Sequence, residues 1–380
     1  MKKIGIITFH HSYNCGSMMQ AFALQSVVNK LGYSSEIIDF SNEGQKKLYQ
    51  VFFPLNGVKN IVKNLIIFPH RKQIENNNKS YENFMKTHMV LSKCSYNHID
   101  ELDDNAYETI IAGSDQIWNI TIDDSDDAYF LGWAKETNKI AYAPSFGARK
   151  IQDYAENVQR YKQYLADFSN LSIRESNGKK WIKELLNIDI PVVLDPTLLL
   201  NSNDYENLIH NNLNFPSKYI FYYAPHYEKN INKLVLSISK KYDLPVIGFN
   251  AKTFFVKRMN KSGFLLPKVE NPSVYLELIK NAEIVITTSF HGTVFSSLFR
   301  KNFWVVKNGG MYSTDDRVMT MTNMLDLSDR IISITYDESF DYLKPKNYGK
   351  YEIELEKYRN ISIKYLSKAL LGEFNNEVRE

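Results

Sequence analysis

Three short stretches carry side chains whose types and setting suit proton transfer and anion binding. The first is Thr287-Thr288-Ser289-Phe290-His291-Gly292. The β-branched apolar run before it reads as a buried parallel strand, and 293–299 after it as the first turns of a helix. In open α/β sheets, ligands bind outside the carboxyl ends of strands, where helix N-termini offer free N–H groups. An imidazole there can exchange a proton with a bound anion; the bland alternative is a satisfied packing histidine. The second stretch is Gly113-Ser114-Asp115-Gln116, leading to Trp118 and Asn119. Gly113 permits close backbone approach, and Asp115 either caps a short helix or accepts a bond from a sugar hydroxyl. Trp118 offers a sugar an apolar face or is core. The third is Ser172-Ile173-Arg174-Glu175. An arginine at a strand end grips phosphate or carboxylate in bidentate fashion, unless it is held in a structural ion pair.

Other segments are weaker. The loop from Thr8 through His10, His11, Asn14 and Gly16 to Ser17 lacks GxGxxG spacing, so no dinucleotide site is read. It still sets small residues before a helix start, which is either an anion seat or a plain turn; His10 and His11 read as exposed loop residues. Asp195-Pro196-Thr197 reads as a turn, with Asp195 a cap rather than a catalyst. Asp315 or Asp316 reads as an N-cap, with Arg317 directed toward the same cleft. There is no HExxH, no carboxylate cluster and no defensible Ser–His–Asp order. Cys15 and Cys94 have no CxxC spacing, so the expectation is no metal site and no disulfide framework.

The elements that must position these residues follow an α/β rhythm. Strand 3–9, helix 17–31 and strand 34–40 form a βαβ unit. Strands are expected at 107–112, 139–145, 171–174 and 192–194, with helices at 152–168 and 176–187. After a linker at 200–204 a second set follows: strands 219–223, 245–249, 282–288, 303–307 and 330–334, helices 229–242, 272–281 and 316–326, and a last helix near 351–371. The expected division is 1–200 and 201–380, two α/β domains, with the last helix packing back on the first. Residues 41–100 read as a basic helical insertion carrying Lys46, Lys47, Lys59, Lys63, Arg71 and Lys72 with few acids. That is either a solvated surface or a patch for a phosphorylated or membrane-borne substrate.

Composition narrows the classes. With 46 basic and 43 acidic residues among 380, the net charge of +3 does not argue for nucleic acid. No run reaches the roughly 18 apolar residues of a membrane span, and the N-terminal apolar run is too short for a signal peptide. The expectation is a cytoplasmic protein.

Taken together, Thr8-Phe9-His10 through Asn14-x-Gly16 to Gln25, Ala112-Gly113-Ser114-Asp115-Gln116-Ile117-Trp118-Asn119, Ser172-x-Arg174-Glu175, Asp195-Pro196-Thr197, Thr288-Ser289-Phe290-His291-Gly292 and Arg317 resemble polysaccharide pyruvyl transferases. The resemblance spans about 3–330. It implies two Rossmann-like domains facing across a cleft, similar to GT-B glycosyltransferases. It implies phosphoenolpyruvate as donor substrate, no further cofactor, and a sugar acceptor that is nucleotide-, lipid- or polymer-linked. The residues it implies are His291 as proton donor or base, Asp115 as base or orienter and Arg174 as donor clamp. Arg317, Ser289, Gly292, Asn14, Gly16, Gly113, Ser114, Gln116, Asn119 and Glu175 are implied around them. Other branches of the family carry arginine where this chain has Ser289; Arg317 or Lys307 is the expected replacement. Two other readings stand beside it: a GT-B-like glycosyltransferase using a nucleotide sugar, and a non-catalytic protein that binds an anionic sugar.

Overall fold

The computed structural model describes residues 3–210, 214–307 and 315–373. Its framework is two parallel sheets. The first contains β1 (Lys3–Ile7), β2 (Ser35–Phe40), β3 (Leu91–Tyr96), β4 (Tyr107–Ala112), β5 (Asn138–Ala141) and β6 (Asn170–Leu171), in the order β3-β2-β1-β4-β5-β6. The second contains β7 (Ile220–Tyr223), β8 (Val246–Ile247), β9 (Ile284–Thr287), β10 (Phe303–Lys307) and β11 (Ile331–Ser333), in the order β8-β7-β9-β10-β11. Both are covered by helices, which is why β9 and the later residues of β1 and β4, Ile4–Ile7 and Ile110–Ala112, are buried on both faces and read as apolar runs instead of alternating ones. The fold class is therefore the expected α/β with two Rossmann-like halves.

Each strand order reverses once. In the first sheet the reversal lies between β1 and β4, paired from Ile4↔Thr109 to Ile7↔Ala112. In the second it lies between β7 and β9, paired from Ile220↔Ile284 to Tyr223↔Thr287. Loops leaving adjacent strands in opposite directions open a crevice at such points, and ligands bind there.

Several expected elements change. Strand 192–194 is only a bridge between Ile173 and Val192. The helix expected at 152–168 breaks into Ile151–Tyr154 and Val158–Ala166, the second started by Asn157, whose side chain accepts from the Arg160 N–H. The segment read as a linker forms a capping box, Asn201 with Asp204, opening the short helix Ser202–Glu206. The insertion is not wholly helical. Helices Glu43–Tyr49, Val58–Ile67 and Arg71–His88 are followed by β3, which closes the sheet's edge beside β2. β3 escapes a hydrophobicity-based reading because Ser92, Lys93 and Ser95 belong to a half-exposed edge strand.

One buried cluster joins the two halves. It runs from Met18 and Leu24 on helix Cys15–Lys30 through Leu198 and Tyr205 to Phe295 and Leu366. The last helix, Gly349–Leu370, reaches the first sheet. Tyr365 Oη donates to the Ala141 carbonyl (3.0 Å), and the Leu194 N–H donates to Ser362 Oγ (3.0 Å). A second tie lies at the cleft: helix Ser176–Leu186 has no side-chain cap of its own, and its Asn177 N–H donates to Asp316 Oδ2 (2.8 Å) and its Ser176 N–H to Thr320 Oγ1 (3.2 Å).

Candidate active site

The two crevices face one cavity of about 580 Å³. Asn14, Ser17, Asp115, Gln116 and Asn119 line it from the first sheet; Pro225, His226, Ser289, His291 and Arg317 line it from the second half. The wall is strongly polar, as expected for a sugar or phosphate site.

His291 occupies the second position of helix Phe290–Leu298, directly after β9. Ser289 is the N-cap of that helix, its Oγ accepting from the Gly292 N–H (3.4 Å). The residue standing in the family's arginine position thus builds the turn that aims the histidine. Gly292 is required by packing, since a Cβ there would lie 2.2 Å from Thr287 Oγ1. Gly16 has the same character: a Cβ would stand 2.2 Å from His291 Nδ1, so the imidazole rests on the bare backbone of helix Cys15–Lys30. Asn14 caps that helix, accepting from the Gly16 and Ser17 N–H groups. The expected anion seat at this helix start is therefore filled by the chain's own side chain.

Asp115 also follows its strand, β4, and holds a left-handed φ of 73°. Ser17 Oγ donates to its Oδ2 (2.6 Å), the Gln116 N–H donates to its Oδ1 (2.9 Å), and Arg174 approaches Oδ1 at 3.4 Å. Burial alone would raise the carboxyl; Arg174, His291 and Ser17 outweigh it and hold Asp115 below the usual carboxylate range. It is a fixed negative charge on the cavity wall.

Asp195 corrects the sequence reading. Its Oδ1 does cap the turn, accepting from Thr197 N–H (3.0 Å) and Oγ1 (2.6 Å). Its Oδ2 faces the site instead. Arg174 Nη1 donates to it at 2.6 Å, Ser114 Oγ at 3.3 Å, and His291 Nε2 stands 3.5 Å away. Burial would raise this carboxyl too, but His291 and then Arg174 drive it well below the ordinary range. His291 Nε2 is buried against Asp195 Oδ2 at the outer limit of hydrogen-bond distance, so the imidazole is backed by a fixed carboxylate while the residue lines the cleft.

Arg174 is not on the cleft wall. Its side chain is 1% exposed, paired with Asp195 and Asp115, and its guanidinium lies 4.4 Å above the Phe290 ring. The expected direct clamp is replaced, in this conformation, by a cation that locks both carboxylates. Glu175 also stands behind the wall. Its Oε1 accepts from the Phe146 N–H (2.8 Å), and burial, partly offset by Arg174, pushes it up to about 7. Gly113 and Ser114 lie behind the wall as well; a Cβ on Gly113 would meet the Tyr142 carbonyl at 2.0 Å, and Ser114 Oγ donates to the Ala143 carbonyl (2.6 Å). Gln116 and Asn119 meet on the wall (3.3 Å). Arg317 lines the cavity in a bidentate pair with Asp315, Nε to Oδ1 being 2.8 Å. Lys307, at the exposed end of β10, does not line it. Trp118 is core, donating to the Tyr129 carbonyl (3.2 Å).

Sequence reasoning passed over Asp124, Arg149 and His226, all on the wall. His226 follows β7, so its place after a strand was the available signal; Asp124 and Arg149 sit in loops with no motif. Burial, then Asp115 and Asp123, raise Asp124 to about 6. The sign of its stability effect follows. The folded carboxyl keeps its proton to about 6 while an unfolded one releases it near 3.8, so the fold loses stability as pH rises from 4 through 6. An Asp124→Asn variant is expected to be stabler by about 2–3 kcal/mol at pH 7.5 and unchanged at pH 4, read by denaturant unfolding. Equal differences at both pH values would refute the assignment.

Among the described residues, one group offers metal-ligand atoms: His10, His11 and Asp39. The sequence showed no cluster because Asp39 arrives only through β1–β2 pairing. His10 is fully buried, with Nδ1 3.1 Å from the Thr8 carbonyl and Nε2 2.9 Å from Asp39 Oδ1, so protein acceptors already flank both nitrogens.

A search of curated proteins found no match. Among solved structures, UDP-GlcNAc 2-epimerase from Neisseria meningitidis is similar at 11% identity and TM-score 0.49, covering 97% of this chain and 100% of its own. The Rickettsia bellii UDP-N-acetylglucosamine 2-epimerase is similar at 12% identity and TM-score 0.48, covering 98% and 96%. A heptosyltransferase from E. coli gives 8% identity and TM-score 0.38, covering 81% and 89%. The family model described as polysaccharide pyruvyl transferase matches residues 14–310, a span that holds His291, Asp115, Asp195 and Arg174. The chain belongs to the polysaccharide pyruvyl transferase family, a family of enzymes.

Proposed function

We propose that this enzyme moves the pyruvyl group of phosphoenolpyruvate onto two hydroxyls of one sugar in a cell-surface polysaccharide or its precursor, forming a cyclic ketal. The observation that carries the reading is His291 on the cleft wall, its Nε2 backed by the buried carboxylate of Asp195 at 3.5 Å. The donor's methylene carbon must take a proton, leaving an oxocarbenium-like centre at C2; a buried imidazole steadied by a carboxylate suits that step. A first hydroxyl attacks C2, oriented by Asp115. The second hydroxyl then displaces phosphate. One hydroxyl proton replaces the one His291 gave up, and the other leaves with phosphate as hydrogen phosphate. Arg317 on the wall, with Arg149 at the mouth, supplies positive charge for the donor's phosphate and carboxylate. As written, the reaction consumes no cofactor. In this reading the enzyme is cytoplasmic, the acceptor is nucleotide-, lipid- or polymer-linked, and the basic 41–100 region meets the inner face of the membrane peripherally.

The test is phosphate release from phosphoenolpyruvate across a panel of sugar acceptors, with mass detection of the ketal. Acceptor-dependent phosphate release with the ketal product is expected. Nucleotide release from nucleotide sugars instead, or ligand-induced stabilisation with no product, would sink the proposal.

A further inference from the structure

Helix Val58–Ile67 leaves an apolar stripe on its outer face. Val58, Ile61, Val62 and Leu65 recur at helical spacing on one face, and Phe68 continues the line; their exposures are 75, 46, 47, 69 and 54%. Its inner face mixes amides with apolar side chains: Ile67 is fully buried in the core, and Asn60 and Asn64 tie the helix to the segment before it. Asn64 accepts from the Phe53 N–H (2.8 Å) and donates to the Phe53 carbonyl (2.9 Å), and Asn60 donates to the Pro54 carbonyl (3.1 Å). The segment so held adds Leu55, 79% exposed, to the same surface. An ordinary surface helix turns its apolar stripe inward; here, beside the inward Ile67, a longer stripe of branched hydrocarbons is left facing out.

The charge around the stripe has one sign. Residues 44–74 contain Lys46, Lys47, Lys59, Lys63, Arg71 and Lys72 and no aspartate or glutamate. Arg71 lies over the Phe68 ring (4.5 Å), and Lys63 and Lys252 both lie over the Phe53 ring (4.7 and 4.2 Å). Burial first, and Lys63 second, lowers the Lys252 ammonium to about 8. Leu48 and Tyr49, a few residues before the stripe, line the mouth of the cleft.

We propose that this face seats on an anionic lipid bilayer, the stripe entering the headgroup–acyl boundary and the surrounding cations meeting lipid phosphates. Apolar side chains ringed by lysine and arginine match an interfacial helix, and a flat bilayer is the partner whose chemistry satisfies both at once. A second copy of the chain would oppose the same cations to one another. Docking stands on this surface alone and is independent of the reaction.

The full-length protein would be sedimented with vesicles of phosphatidylcholine alone and of phosphatidylcholine with 30% phosphatidylglycerol. Binding is expected to the anionic vesicles, falling as salt is raised. The double variant Ile61→Glu, Leu65→Glu is expected to reduce it at least about 10-fold with unchanged far-UV spectrum and melting temperature. Lys59→Gln with Lys72→Gln is expected to reduce it about 25-fold, each cation near an anionic surface being worth about fivefold. No binding to anionic vesicles, equal binding by the Glu variant, or a wild-type dimer in solution that the Glu variant makes monomeric would each overturn the proposal.

Discussion

A Gly16→Ala variant is expected to lose about as much pyruvyl transfer as a His291→Ala variant, about 100-fold or more, while melting within a few degrees of wild type. Glycine at 16 does not serve a positive φ. The new methyl group would lie 2.2 Å from His291 Nδ1, 2.5 Å from Cγ and 2.9 Å from Cβ. These atoms are the root and ring of a side chain, so the imidazole must swing away from Asp195 or the two helices must part. Helical propensity works the other way, because alanine is favoured over glycine by about 1 kcal/mol within a helix. Displacing an acid–base group by about 1 Å costs on the order of 100-fold in rate. Steady-state phosphate release beside a thermal melt decides the matter, and full activity in the alanine variant would show that His291 is not held where the chemistry needs it.

The second large effect is expected at Asp195. Asp195→Asn leaves Arg174 buried against a neutral amide and removes the charge beside His291. Breaking a buried pair in this way costs about 3–5 kcal/mol, and about 3 kcal/mol lowers the melting temperature of a chain this long by roughly 4 °C. Pyruvyl transfer is expected to fall with it, since the carboxylate that backs His291 Nε2 is lost. The pH dependence has a fixed sign. Asp195 is lowered in the fold, so its contribution is complete above the ordinary carboxylate range and is lost as pH falls through the folded value. The gap between wild type and variant should therefore be full at pH 7 and begin to close only below about pH 4. Thermal melts at pH 7 and pH 3 test this; a gap that widens in acid would contradict the charge arrangement.

How much of this was legible in the sequence depended on what each residue has for neighbours along the chain. β1, β4 and β9 declare themselves because their stretches buried on both faces read as apolar runs, and His291 and Asp115 follow such strands directly. Asp195 was half legible. Its turn-capping oxygen acts on Thr197, two residues away, while its other oxygen acts on Arg174 and His291, which only the fold brings near. Arg174 looked available because its partners are remote in sequence, and Phe290, the ring beneath it, looked like packing. Asp124 and Arg149 lie in long connections whose path no local pattern dictates. β3 was hidden by its exposure, and the outward apolar stripe of helix Val58–Ile67 was hidden because periodicity reveals that a face exists but not which way it points.

The borrowed helix start at Ser176 has a consequence for how this chain can be cut and recombined. Two sheets with one connecting segment near residue 200 invite treatment as interchangeable modules. Yet the N–H groups of Ser176 and Asn177 bond to Thr320 and Asp316, and Leu194 bonds to Ser362. A gene fusion at 200 would hand the first module a helix with unanswered donors and the second a final helix with nothing beneath it. For grafting a new acceptor specificity, the natural unit of exchange is accordingly a cleft loop, not a half.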